Sequence, residues 1–192
     1  MTIISQTNET ELVSRAQSGD RDAFSDLVRA YAQGVLNVVY RMCGNVQVAE
    51  DAAQETFIQA WMKLSSYRPK SSLQNWLYRI AVNTAIDMLR KEKHILPNAV
   101  EDLHLIDAQA GPEAIFLSGE QTELVQGAIS TLPDASRAVL VLREYEGLSY
   151  KEIADALDVP VGTVMSRLNY ARKLLKEKLE VHLFAFAEVE NV

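Results

Sequence analysis

The chain has 192 residues, enough for one ordinary domain or two small ones, and 48% of them are hydrophobic, which excludes a disordered regulator. Its formal net charge of −7 argues against strong unaided binding to nucleic acid. A single cysteine, Cys43, excludes an internal disulfide, no metal-ligand spacing surrounds it, and no run of about 18 apolar residues is present to span a membrane.

The opening stretch, MTIISQTNETELVSRAQ, has neither a basic start nor an apolar core. It does not read as a secretory signal, and the expected compartment is the cytoplasm. Leu12, Val13 and Ala16 begin an amphipathic helix that stops at Ser18-Gly19-Asp20. Phe24, Leu27, Val28, Tyr31, Val35, Leu36, Val38 and Val39 then keep 3.6-residue spacing as far as Cys43-Gly44. A third helix is expected over about 46–64 and a fourth over about 73–93, making residues 1–95 one helical unit. Residues 96–119 follow as a flexible linker, with prolines at 97 and 112, several acids and no clear period.

A second helical unit is expected over residues 120–181, with a short tail at 182–192. Leu124, Val125, Ile129 and Leu132 form one face, and Leu132-Pro133-Asp134 breaks that helix and caps the next. Gly147 ends the following helix by adopting a left-handed conformation. Ser149 and Glu152 then form a capping box, Ile153, Ala154 and Leu157 share a face, and Asp158-Val159-Pro160 stops the helix. The chain restarts at Gly162-Thr163, with Val164 and Leu168 on the buried side. This is a helix-turn-helix pattern, whose second helix can enter a DNA major groove. The fold class is all-α: two small helical domains joined by a flexible acidic linker, free to move or held closed by a partner.

Divided along the chain, the charge is better placed than its total suggests. Residues 1–95 hold 11 basic against 10 acidic residues, residues 96–120 hold five acids and no base, and residues 121–192 hold 8 bases against 11 acids. Seven bases lie between positions 63 and 93, and five between 164 and 178. Because screening confines each charge to roughly 8–10 Å, such clusters set phosphate contact more than the total does. The first cluster interleaves Tyr67, Arg68, Lys70, Asn75, Trp76, Arg79 and Asn83, a mixture suited to single-stranded nucleic acid. The second presents Thr163, Met165, Ser166, Arg167, Asn169, Tyr170, Arg172 and Lys173 on the helix after the turn.

Two long stretches carry a resemblance. DAAQETFIQAWMKL with NWLYRIAVNTAIDMLR resembles the second conserved region of bacterial sigma-70 family sigma factors, and LREYEGLSYKEIADALDVPVGTVMSRL resembles the fourth. Their order and spacing fit the small extracytoplasmic-function (group IV) type, over almost all of the chain except the last dozen residues. The resemblance implies a promoter-specificity subunit that binds core RNA polymerase and helps open DNA, with no catalytic residues, cofactor, metal or small-molecule substrate. Asp51, Gln54, Glu55, Phe57, Ile58 and Trp61 match the surface that docks on the clamp helices of the largest polymerase subunit, and the fourth region is expected at the flap of the second. Tyr67, Arg68, Lys70, Asn75, Trp76, Arg79 and Asn83 match positions that meet the −10 strand, and the helix from Gly162 matches the −35 reader. An anti-sigma partner is expected for this group. The linker acids Glu101, Asp102, Asp107 and Glu113 either mimic nucleic acid or are passively solvated. The tail's Leu183, Phe184 and Phe186 either pack on the last helix or serve a partner.

This chain departs from the family pattern at Met165 and Asn169-Tyr170, where basic residues are common. Met cannot make the bidentate guanine contact of an arginine, so less guanine reading is expected in the −35 element. The alternatives are a stand-alone helix-turn-helix regulator of duplex DNA, and an adaptor that has lost DNA binding. An enzyme is the weakest reading, because His94, His104 and His182 are scattered and no nucleophile–base pair can be assembled.

Overall fold

The computed structural model describes residues 6–69, 72–95 and 113–189, and within these every element is helical. Helices α1 (Gln6–Gln17), α2 (Arg21–Cys43), α3 (Val46–Lys63) and α4 (Leu73–Ile95) form the first unit, with a 3₁₀ turn at Leu64–Ser66 closing α3. Helices α5 (Glu113–Ser130), α6 (Asp134–Glu144), α7 (Tyr150–Leu157) and α8 (Val161–Val189) form the second. Lys70, the linker acids Glu101, Asp102 and Asp107, and His104 lie outside the described residues, as do the side chains of Glu113, His94, His182, Leu183, Phe184 and Phe186.

Local chemistry sets the helix starts. Asp20 caps α2, its carboxylate accepting from the backbone N–H groups of Asp22 and Ala23 at 3.0 Å each. Asn45 caps α3 through Val48 N–H at 3.1 Å, and Ser72 Oγ accepts from Asn75 N–H at the start of α4. Three expected boundaries move. Asp134 does not cap α6: Pro133 occupies that position without a side-chain bond, and Asp134 lies in the first turn, 3.6 Å from Arg137. Helix α5 begins at Glu113, inside the expected linker, where Glu-Ala-Ile-Phe-Leu are all tolerated in a helix. Helix α8 likewise continues through the expected tail to Val189.

The apolar faces explain the packing. On α2, Val35, Val38, Val39 and Met42 are fully buried, and the small Ala49, Ala52 and Ala60 of α3 let that helix lie close to it. Leu73, Leu77, Tyr78, Ala81, Val82 and Ala85 complete the first core from α4. In the second unit Ile129, Leu132, Val139, Leu142, Ile153, Val164, Leu168 and Ala171 are buried together. Each large aliphatic side chain so placed contributes about 1.5–3 kcal/mol.

The two units close on one another. Helix α4 packs on α7, α2 packs on α5 and α6, and the buried residues form one continuous cluster. Arg137, only 5% exposed, donates to Met42 O at 2.6 Å, Ser130 O at 2.6 Å and Leu132 O at 2.9 Å. It thereby ties the C-terminal ends of α2 and α5, where carbonyls lack helical partners and favour a cation. Arg41 donates to Gln126 Oε1 at 3.0 Å, Gln126 donates back to Arg41 O, and the guanidinium lies 4.4 Å from the Tyr145 ring centroid. Tyr78 Oη, close enough to Gly34 that a Cβ there would meet it at 2.6 Å, donates to Glu146 at 2.5 Å.

Candidate nucleic-acid interface

The turn between α7 and α8 is built as its sequence requires. Glu152 N–H donates to Ser149 Oγ at 3.2 Å, and Ser149 N–H donates to the Glu152 carboxylate at 2.8 Å. These bonds hold the Glu152 carboxyl below its ordinary pKa. Asp158 takes the left-handed conformation, φ 56°, where Asp is better tolerated than most residues. Pro160 O then accepts from the N–H groups of Thr163 and Val164, so the chain re-enters helix within one turn.

Val164, Leu168 and Ala171 turn inward, which leaves a defined outer face on α8. Met165 is 47% exposed, Ser166, Asn169, Tyr170, Arg172 and Lys173 are exposed, and Thr163 and Arg167 are half-buried. All eight sequence candidates therefore share one helix with exposed or half-buried side chains. Val161, exposed and four residues before Met165, extends the same line and was missed; its signal was the four-residue spacing to Met165 and Asn169. Arg172 is not unpartnered: its guanidinium donates to Glu144 at 2.6 and 3.2 Å.

The α4 surface departs more from expectation. Tyr67 is 6% exposed and Asn75 5%, so neither offers its side chain to a strand; both are interior. The Tyr67 ring instead packs 5.1 Å from that of Trp76, and Asn75 sits in the first turn of α4. Trp76 is half-buried, while Arg68, Arg79 and Asn83 are exposed, the last two one turn apart on α4. Arg79 is engaged by Asp158 across the two units, Nη2 to Oδ2 2.9 Å. An incoming phosphate must compete with that carboxylate.

The third surface lies on α3. Asp51, Gln54 and Ile58 are exposed and Glu55 is half-buried. Phe57 and Trp61 are half-buried at the border of that face: each packs partly against the core, with the Trp61 ring 4.9 Å from Phe24. The exposed line runs Val46, Glu50, Gln54, Ile58, Met62 at four-residue steps, and Met62, 74% exposed, is its most accessible apolar group. Sequence reasoning omitted Met62 because an isolated apolar residue between Trp61 and Leu64 looks like core. Among the described residues there is no cluster of His, Cys, Asp and Glu able to hold a metal, and no helix long and apolar enough to cross a membrane.

Comparison with known proteins matches Sigma-70 region 2 to residues 27–95 and Sigma-70 region 4 to residues 122–175. The chain is 37% identical to the RNA polymerase sigma-H factor of Pseudomonas aeruginosa, covering 93% of this chain and 97% of that protein. It is 39% identical to the extracytoplasmic-function RNA polymerase sigma-E factor of Escherichia coli, covering 91% and 96%. In structure it resembles the sigma factor RpoE of Bartonella quintana, solved with the anti-sigma factor NepR, at TM-score 0.64 and 25% identity over 82% of this chain and 97% of that one.

Proposed function

Two matched regions in order, with relatives this similar over nine-tenths of the chain, make it a member of the extracytoplasmic-function group of the sigma-70 family, a promoter-specificity subunit of bacterial RNA polymerase, and we propose how its surfaces divide that work. The outer line of α3, with Asp51, Gln54, Glu55, Ile58 and Met62, docks on the polymerase clamp helices. A strip of carboxylates around an apolar seam suits a basic partner helix, since complementary charge steers encounter while the buried apolar groups hold it.

Arg68, Trp76, Arg79 and Asn83 receive the −10 strand, and the outer face of α8 reads the −35 duplex. Trp76 offers an aromatic edge for stacking and Arg79 a cation for phosphate, which together offset an unstacking cost of a few kcal/mol. On α8, Arg167 and Lys173 hold phosphates while Val161, Met165 and Asn169 meet base edges. The subunit contributes specificity and strand opening and no catalytic residue, and it works in the cytoplasm. An anti-sigma protein is proposed as its regulator, in keeping with the complex in which its RpoE relative was solved.

The observation carrying this reading is that polar α4 residues and the α8 face belong to two separate units of one chain. Promoter contact at two elements requires such a division. In-vitro transcription from a promoter library, with core polymerase and with or without this protein, tests it. Transcripts that depend on the protein and share a −10 and a −35 motif are expected. Failure to bind core polymerase would overturn the division.

A further inference from the structure

Helix α1 lies outside both matched regions, yet its last residue reaches into the strand-facing surface. The Gln17 side-chain amide donates to Leu64 O at 2.9 Å and to Tyr67 O at 3.0 Å, residues about fifty positions later in the chain. Both carbonyls belong to the 3₁₀ turn and its cap at the end of α3, where helical partners run out. One carboxamide NH₂ carries two hydrogens, so a single side chain gives each carbonyl a second donor, beside Tyr67 N–H at Leu64 O and the Arg68 guanidinium at Tyr67 O. A methyl or a carboxylate at that place cannot.

What the turn carries gives the contact its meaning. Tyr67 N–H closes on Leu64 O, and the buried Tyr67 ring packs against Trp76. Arg68 folds back over the same turn, donating to Ser65 O at 2.9 Å and Tyr67 O at 3.0 Å. Trp76 and Arg68 are two of the groups assigned above to the −10 strand. Their placement depends on the turn, and the turn is tethered from outside by Gln17. We propose that Gln17 is a positioning residue for strand capture: it holds the Tyr67–Trp76 pair and the Arg68 guanidinium in the arrangement that receives an unstacked base. This inference rests on the reading of α4 as the strand-binding surface.

The requirement is for a donor, which three substitutions separate. Gln17→Glu keeps the shape and removes both donors, Gln17→Leu removes all polarity, and Gln17→Lys keeps a donor while changing the shape. With holoenzyme on a promoter obtained from the library selection, permanganate reactivity of −10 thymines reads opening. A hydrogen bond of this kind is worth roughly a fivefold change in a local equilibrium, so opening is expected to fall about five- to twentyfold in Gln17→Glu and Gln17→Leu. Gln17→Lys should stay within about twofold of wild type. Core affinity and binding to −35 duplex should be unchanged in all three.

In the free chain, hydrogen exchange at the Tyr67 amide should quicken in the two donor-less variants and not in Gln17→Lys. Wild-type opening in Gln17→Leu overturns the proposal, as does a Gln17→Lys defect equal to that of Gln17→Leu, or a parallel loss of core affinity. Unchanged exchange at Tyr67 overturns the tether itself. If the wild-type protein binds core but the resulting holoenzyme shows no permanganate-reactive thymines, the assignment of α4 fails instead, and that outcome is visible before any variant is compared.

Discussion

Replacing Arg137 by Met keeps most of the aliphatic stem and removes three hydrogen bonds at once: to Met42 O, Ser130 O and Leu132 O. All three acceptors sit at helix ends, and burial has already pulled the guanidinium pKa down from its ordinary value. Removing the cation leaves three carbonyls at helix ends short of a donor, each costing about 1–3 kcal/mol. The Arg137 Nε finds no hydrogen-bond partner among the described residues, so part of its desolvation is uncompensated in the native protein. That places the expected loss near the lower end of their sum, about 3 kcal/mol, out of a typical total of about 5–15 kcal/mol. For a chain of this size each kcal/mol moves the midpoint by about 2–4 °C, so Tm should fall by about 6–12 °C. Arg137→Lys should recover only part of this, because a point charge cannot reproduce the fork that spans two helix ends. Thermal unfolding followed by far-ultraviolet circular dichroism is the assay. A Tm loss of less than about 2 °C for Arg137→Met would refute the view that this side chain ties α2 to α5.

Further outcomes follow from other contacts. Burial raises the Glu146 carboxyl above its ordinary pKa although the Tyr78 hydroxyl pulls it down. The folded state therefore binds a proton more tightly than the unfolded one, and this group's stabilisation is present at low pH and lost as pH rises through its raised pKa. Urea midpoints should fall less over that window in Glu146→Gln than in wild type; parallel curves would contradict the assignment. Met165→Arg should add guanine reading to the −35 element, with discrimination of about 1–3 kcal/mol at one base pair in a competition binding assay with duplex promoter. Asp158→Asn leaves the left-handed turn tolerable and frees Arg79; with both partners of the pair largely exposed, stability should change by less than about 1 kcal/mol in urea unfolding, while single-strand affinity of the free chain rises.

What could be read from the residues alone followed the range of the interactions involved. Asp20, Gly44, Ser149 and Glu152 act within four positions of themselves, and the structure places the boundaries of α2 and α7 where those residues stand. The outer face of α8 was legible for the same reason, since burial of Val164 and Leu168 decides what remains outside. Tyr67 and Asn75 proved interior; an aromatic or amide beside basic residues looks equally suited to a strand or to a core. Their burial is decided by α1, α2 and α3 packing from elsewhere in the chain. Gln17 to Leu64 and Arg79 to Asp158 are pairings across 47 and 79 positions, and nothing local announces them.

The engagement of Arg79 by Asp158 and of Arg172 by Glu144 also bears on how binding should respond to salt. A lysine or arginine that neutralises a phosphate ordinarily expels a condensed cation from the DNA, and the logarithm of affinity falls with that of salt by about 0.9 for each duplex contact and about 0.7 for each single-strand contact. When the arginine arrives already holding a carboxylate, the carboxylate it abandons recruits a cation in turn, and the exchange is nearly neutral in ions. On the proposed reading, Arg79, and Arg172 wherever it meets a phosphate, would then be almost silent in a salt titration while still making contact. A count of phosphate contacts taken from the slope would understate the interface, and a protein with a net charge of −7 would hold its promoter more evenly across ionic strengths than its basic residues suggest.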